Sequence, residues 1–250
     1  MGTSTGPNRA PPLYAALRAI LRPIVLGTLR PTVEGLAHVP DRGPAILCAN
    51  HLSLIDPILV PLLLDRPVVF LAKSEYFHTG PSRWLFDSLG VVPVAREGGS
   101  AARASLDRGT DVLRAGGLLS LFPEGTRSPD GRLYRGKTGP IRLALRTGAP
   151  IVPVGLIGTR EVVPPHTYVP RLGAVVTVRF GAPLEVGGHA DLRAEADRLM
   201  RVIRSLTGQT YVDAYARPVQ RARVSHDALD TFGERHDAPS GPGVDRDGPR

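Results

Sequence analysis

Apolar positions along this chain fall into short blocks separated by polar turns. Six blocks stand out: Ala45–Ala49, Val68–Ala72, Val91–Val94, Leu118–Phe122, Ile151–Ile157 and Val175–Phe180. Short apolar runs bounded by Gly, Pro and polar clusters predict buried strands. Between them, segments with helical character lie at Pro57–Leu64, Ser82–Leu89, Ala101–Ala115 and Pro140–Arg146. The third is the sharpest, with Ser100 placed to cap its start and Gly116-Gly117 to end it. Strands alternating with helices predict an α/β fold, a largely parallel central sheet flanked by helices. In such sheets the active groups gather beyond the carboxyl ends of the strands. His51 follows the first strand, Arg96 the third and Glu124 the fourth, so the pattern directs all three to one crevice.

The two ends differ from this middle. Residues 1–12 are small, polar and proline-rich, and their Gly2-Thr-Ser-Thr-Gly6 run lacks the strand and helix that a hydrolase elbow needs. Leu13, Leu17, Ile20, Leu21 and Ile24 then recur at helical spacing, with Arg18 and Arg22 opposite. This predicts an N-terminal amphipathic helical segment, kinked or divided at Pro23. Its apolar stripe fits docking on the domain and lying in a membrane interface equally well. Ala190–Tyr215 predicts a final charged helix or pair of helices, broken near Gly208. Beyond Ala216 apolar residues thin out, predicting a disordered tail. Three regions result: 1–31, flexible and then amphipathic; 32–216, the functional domain; and 217–250, the tail.

Charge narrows the partners. The formal net charge is +8, and only Lys73 and Lys137 among the cations are lysines. Six arginines balance six carboxylates in 217–250, so the excess lies in residues 1–216. Arginine's planar fork suits phosphate, which leaves an anionic membrane surface, a phosphorylated substrate and nucleic acid open. Aromatics make up only 5% of the chain and do not alternate with arginine, so no nucleic-acid partner is expected. The single cysteine, Cys48, sits in the first strand and reads as core, which fits a reducing compartment. No apolar run reaches the ~18–20 residues needed to cross a bilayer, and no secretory leader is evident. The expected location is cytoplasmic, or peripheral on the cytoplasmic face of the cell membrane.

The chemistry concentrates after the first strand. His51 leaves its end, and Asp56-Pro57 opens the next helix. A carboxylate on one imidazole nitrogen fixes the tautomer and frees the other nitrogen as a base. Such a dyad, with no serine or cysteine attached, suits a substrate hydroxyl that brings its own nucleophile. The same residues also fit a plain loop histidine beside a helix-capping aspartate. After the fourth strand, Phe122-Pro-Glu-Gly-Thr-Arg-Ser128 offers a tight turn with an acceptor, a hydroxyl and a cation. Gly131-Arg-Leu-Tyr-Arg-Gly-Lys-Thr138 spells a phosphate loop, although no strand directly precedes it. The seven histidines show no metal-binding spacing, and no metal is expected.

Four segments, Asn50-His51 with Asp56, Gly90–Arg96, Phe122–Ser128 and Ile151–Val154, come in an order that resembles the motifs of the glycerophospholipid acyltransferase family. That family is typified by 1-acyl-glycerol-3-phosphate acyltransferases, and the resemblance spans Val33 to Tyr215. It implies that 32–216 is an acyltransferase domain with His51 as general base and Asp56 as its orienting partner. It further implies that Arg96, Glu124, Gly125, Thr126 and Arg127 bind the glycerol-phosphate end of the acceptor, with Lys73 a further phosphate contact. The implied reaction moves a fatty acyl group from acyl-CoA or acyl-carrier protein to the hydroxyl of 1-acyl-glycerol-3-phosphate. Phosphatidic acid for phospholipid synthesis results, with no cofactor and with the lysophospholipid acceptor and an anionic membrane surface as partners. Three alternatives remain: another lysolipid or lipid acceptor for the same dyad, a nucleotide enzyme built on Gly131–Thr138, and a catalytically silent lipid-binding protein.

Overall fold

The structure, a computed structural model, describes residues 12–73, 91–94, 99–164, 167, 169–171 and 173–217. The chain divides into Met1–Val219 and a C-terminal stretch, Gln220–Arg250. The expected tail from Pro218 onward, the predicted helix Ser82–Leu89 and Arg96 lie outside the described residues.

Helix α1 (Pro12–Leu29) leads into β1 (Thr32–Glu34), a 3-10 turn at Leu36–His38 and β2 (Ala45–Ala49). Then come α2 (Asp56–Leu63), β3 (Val68–Lys73), β4 (Val91–Val94), α3 (Gly99–Arg114), β5 (Leu118–Leu121) and β6 (Leu133–Tyr134). The chain continues through α4 (Gly139–Thr147), β7 (Ile151–Ile157), a single helical turn α5 (Thr159–Val162) and β8 (Thr177–Phe180). It closes with α6 (Leu192–Thr207) and β9 (Tyr211–Val212). The main sheet has the order β1-β8-β7-β2-β5-β3-β4, and β6 pairs with β9 separately. Strands β7, β2, β5, β3 and β4 run parallel, while β8 is antiparallel to β7 and carries β1 parallel to itself. The expected α/β architecture is therefore present.

Strand β2 is the centre. All five of its residues are fully buried, and their side chains alternate between two cores as the pleat requires. Ala45, Leu47 and Ala49 pack with Leu59, Val60 and Leu63 of α2. Ile46 and Cys48 pack on the other face with Leu113 of α3, Ile141 of α4, and Leu199 and Ile203 of α6. Burial on both faces explains why the strand reads as a continuous apolar run. It also pushes the Cys48 thiol far above its usual range, which makes it an unreactive core residue.

Immediately past β2 the backbone turns polar, and Asn50 anchors it. Its side-chain amide donates to the Leu156 carbonyl at 2.9 Å and accepts from the Leu156 N–H at 2.7 Å. It also donates to Gln209 at 2.9 Å, and Gln209 donates onward to the Gly131 carbonyl at 2.7 Å. One fully buried amide thus ties the end of β2 to β7 and to the segment after α6.

Three expectations are corrected. Helix α1 runs through Pro23 as one element and docks by a face that joins Arg18 and Arg22 to Tyr14, Val25, Leu26 and Leu29. Arg18 bonds the Leu64 carbonyl and pairs with Asp65 at 3.0 Å, and Arg22 reaches Asp65 at 3.1 Å. Long apolar stems let arginines cover a surface while their heads find acceptors at the end of α2. Ile20 and Ile24 of the predicted stripe are 60% and 58% exposed. Ser100 lies inside α3 rather than capping it. The final helix breaks at Gly208 as expected, with φ +72 and its N–H donated to Arg204, but the chain then forms β9 and no second helical piece.

Replacing Asn50 with alanine should cost about 2–4 kcal/mol, because it strands a buried N–H and a buried carbonyl of Leu156. Urea unfolding should show a lower midpoint with an unchanged slope. Gln209→Ala removes the contact with Asn50 and the bond to the Gly131 carbonyl but leaves Leu156 satisfied, so it should cost less.

Candidate active site

His51 and Asp56 meet. Nδ1 of His51 lies 2.9 Å from Oδ2 of Asp56, whose side chain is fully buried while that of His51 is 15% exposed. A carboxylate can only accept, so Nδ1 carries the proton and Nε2 presents its lone pair. The same Oδ2 accepts the N–H groups of Leu52 and Ser53, each at 2.7 Å. Asp56 is the first residue of α2, and the helix is capped at Ile55 without a side-chain bond. The carboxylate therefore points back at the His51 loop and not forward onto the first-turn amides. The reading of Asp56 as a plain helix cap gives way for that reason.

The turn after β5 holds the histidine from the other side. The His51 N–H donates to Oε1 of Glu124 at 3.1 Å, and the Ser128 N–H donates to the His51 carbonyl at 2.8 Å. The Phe122 ring stacks on the imidazole at 3.9 Å between centroids and 12° between planes, with Phe70 behind it at 5.9 Å. Strands β2 and β5 are neighbours in register, Cys48 opposite Leu121, so the segments following them meet at this end of the sheet.

Glu124 is buried, and its second oxygen accepts the Tyr134 N–H at 2.9 Å. Burial is the main cause that pushes its pKa up from 4.5 to about 7; the two backbone bonds pull down, and Asp56 and Asp130 add to the rise. With both oxygens engaged by backbone, Glu124 positions the turn. Gly125 adopts φ +76, a left-handed conformation that glycine takes without strain. Thr126 and Arg127 are half-buried, and their side-chain polar groups make no bond within the described residues.

The remaining expected residues divide in two. Lys73 ends β3, the strand beside β5, so its backbone belongs to the same edge of the sheet. Arg96 lies two residues beyond β4 and outside the described residues. Several contributors were not singled out by sequence: Asn50 and Gln209 as anchors, Tyr134 through its backbone, and Ser128 and Phe122 as clamps on His51. Asn50 and Phe122 were visible as motif letters, but nothing in their identity revealed a role. Tyr134 acts only through an amide that every residue but proline carries, so it left no signal.

The phosphate-loop alternative fails on its amides. Such a loop needs free N–H groups turned toward an anion. Here Gly131 and Arg132 donate to Ser128 and Asp130, Leu133 and Arg135 to the carbonyls of Thr210 and Ala214, Tyr134 to Glu124, and Lys137 to Pro123. Strand β6 occupies the middle of the motif, with Leu133 fully buried. No anion cradle remains.

Residues 30–157, about half of the chain, match the Acyltransferase family model, and the chain belongs to that family. Among its relatives, a chloroplastic 1-acyl-sn-glycerol-3-phosphate acyltransferase of Arabidopsis thaliana is 36% identical over 133 residues, 53% of this chain and 37% of that protein. A 1-acyl-sn-glycerol-3-phosphate acyltransferase of Borreliella burgdorferi is 30% identical over 149 residues, 59% of this chain and 60% of that one. The match thus spans less than two thirds of these relatives' own length. In fold, the chain is similar to the crystal structure of the 1-acyl-sn-glycerophosphate acyltransferase from Thermotoga maritima, with a TM-score of 0.60. That likeness covers 78% of this chain and 82% of the other at 23% identity.

The raised pKa of Glu124 has a thermodynamic sign. The folded state holds this proton more tightly than the unfolded one between pH 4.5 and about 7. The stability it contributes is present below 4.5 and is lost as pH rises through about 7. Glu124→Gln cannot titrate and turns an amide donor toward one backbone N–H, so it should be less stable than the parent at pH 5. The gap between the two should narrow by pH 7.5 in urea titrations, and a gap that widens would contradict the assignment.

Proposed function

We propose that this protein is an O-acyltransferase that transfers a fatty acyl group from a thioester to the free hydroxyl of 1-acyl-glycerol-3-phosphate, forming phosphatidic acid. The observation that carries this reading is the His51–Asp56 pair, oriented with Nε2 free beside the cationic turn Phe122–Ser128. Family membership and the names of the relatives support it. In the reaction, Nε2 of His51 takes the proton of the acceptor hydroxyl as the oxygen attacks the thioester carbonyl. The C–S bond then breaks, and the imidazolium returns the proton to the thiolate. Asp56 stabilises the imidazolium, and Phe122 keeps the ring in plane. General base help of this kind contributes ~10²–10⁴-fold, and much of the remainder comes from positioning the acceptor. Arg127, Thr126 and Gly125, with Lys73 and Arg96, are the residues we assign to the phosphate end.

The donor in this reading is acyl-CoA or acyl-carrier protein, and the chemistry requires no cofactor. No helix among the described residues is long and apolar enough to cross a membrane. We place the protein peripherally on an anionic surface, at the cytoplasmic face, with Ile20 and Ile24 entering the interface. A lipid acceptor with its chain in the bilayer then needs no extraction.

The test is loss of thioester against a panel of lysolipid acceptors, with products identified by mass spectrometry. His51→Ala loses the stack on Phe122 but keeps the backbone bonds to Glu124 and Ser128, so it should still fold, and it should lose ~10²–10⁴-fold in kcat. Asp56→Asn should also be crippled, through loss of tautomer control. A folded, active His51→Ala protein would remove the mechanism.

Membrane attachment has its own measurement. Sedimentation with vesicles should show binding that rises with anionic lipid and weakens in salt, each arginine near the surface adding ~1 kcal/mol. The double change Ile20→Ser and Ile24→Ser should weaken that binding, and unchanged sedimentation would exclude these residues as the anchor.

A further inference from the structure

We propose that Lys137 is a further phosphate-binding residue, holding the phosphomonoester of the acceptor over Gly125 together with Arg127; this rests on the acyl-transfer reading above. Lys137 is the lysine of the phosphate-loop spelling. The fold dismantles that loop yet delivers the residue to an anion site of a different kind.

Its backbone N–H bonds the Pro123 carbonyl at 2.8 Å, which pins the start of its side chain beside the Phe122–Ser128 turn. The side chain then lies across Gly125. A Cβ at Gly125 would sit 2.8 Å from both Cε and Nζ of Lys137 and 3.2 Å from Cδ. Glycine at 125 is therefore required twice, once for φ +76 and once to leave room for the ammonium.

Nothing among the described residues uses this charge. Lys137 is exposed, and neither its ammonium nor the Arg127 guanidinium pairs with a described residue. The nearby carboxylates are otherwise engaged: Glu124 accepts two backbone N–H groups, and Asp130 pairs with Arg132 at 2.6 Å. The pKa of Glu124 rises to about 7 through burial, with no cation offsetting it. Two uncommitted cations and the Thr126 hydroxyl thus cluster at Gly125 and its neighbours. A lysine supplies a point charge and an arginine a bidentate fork, which together suit the doubly charged oxygens of a phosphomonoester. The site adjoins the base, because Glu124, the residue before Gly125, accepts the N–H of His51. A glycerol unit placed there carries its hydroxyl toward Nε2.

The experiment measures binding of glycerol 3-phosphate to the full chain by calorimetry, beside adenosine 3′,5′-bisphosphate as the phosphate end of coenzyme A. Lys137→Gln should raise Kd for glycerol 3-phosphate about tenfold or more, the loss of one charge-assisted hydrogen bond. Its melting temperature should not change, since the residue is exposed. Lys137→Arg should recover most of the affinity, and Gly125→Ala should weaken binding by displacing the ammonium. On 1-acyl-glycerol-3-phosphate, Lys137→Gln should act more on KM than on kcat. His51→Ala separates this inference from the reading beneath it: it should bind glycerol 3-phosphate like the parent while transferring nothing. A parent that binds glycerol 3-phosphate but transfers no acyl group sinks the function and spares the site. Equal affinity in Lys137→Gln, a loss confined to the bisphosphate, or no rescue by arginine would overturn the proposal.

Discussion

The site depends on the two-sided grip on His51. Its N–H and carbonyl are both taken by the turn after β5, its ring is stacked on Phe122, and its Nδ1 is held by Asp56. Every one of these partners comes from the segment after β5 or the start of α2, and β5 and β2 are adjacent strands. The imidazole has no rotation left that keeps its bonds. Rigid first contacts supported by packed neighbours are what a base needs if its lone pair is to meet a hydroxyl at a defined angle.

Charge is sorted by depth around that grip. Beneath the turn lie two carboxylates, Asp56 and Glu124, both buried and both answered by backbone N–H groups. Above it lie the uncommitted Arg127 and Lys137. A buried carboxylate without such donors is costly. The backbone amides thus let two acidic side chains organise the loop without consuming the positive charge at the surface. Motif letters carry no depth, so the burial of Glu124 was not legible in them. The structure separates letters that point inward from letters that remain available.

The sheet was legible because parallel strands buried on both faces must be nearly continuous apolar runs. Ala45–Ala49, Val91–Val94 and Ile151–Ile157 matched to the residue. The two-residue strands β6 and β9 were not legible, since neither Leu133–Tyr134 nor Tyr211–Val212 is long enough to show a period. The docking face of α1 was hidden for another reason. Its arginines dock because Leu64 and Asp65 offer acceptors in space, and helical spacing alone assigns arginine to the outside. At the site, His51 and Asp56 were readable from the helix start that Asp56-Pro57 announces. Lys137 was not, because a glycine's missing side chain, twelve positions earlier, is what admits it.

The anchor at Asn50 bears on the order in which the molecule is made. Asn50 joins β2 to Leu156, 106 residues later, and to Gln209, 159 residues later, and Gln209 in turn holds Gly131. Contacts so distant along the chain form slowly and late. During synthesis the histidine emerges early, the turn that grips it follows, and the amide that locks both to the far side of the sheet arrives only after α6. A nascent chain thus carries the His51–Asp56 pair well before it can hold that pair still. The grip on His51 is complete only after the segment that follows α6 has been made.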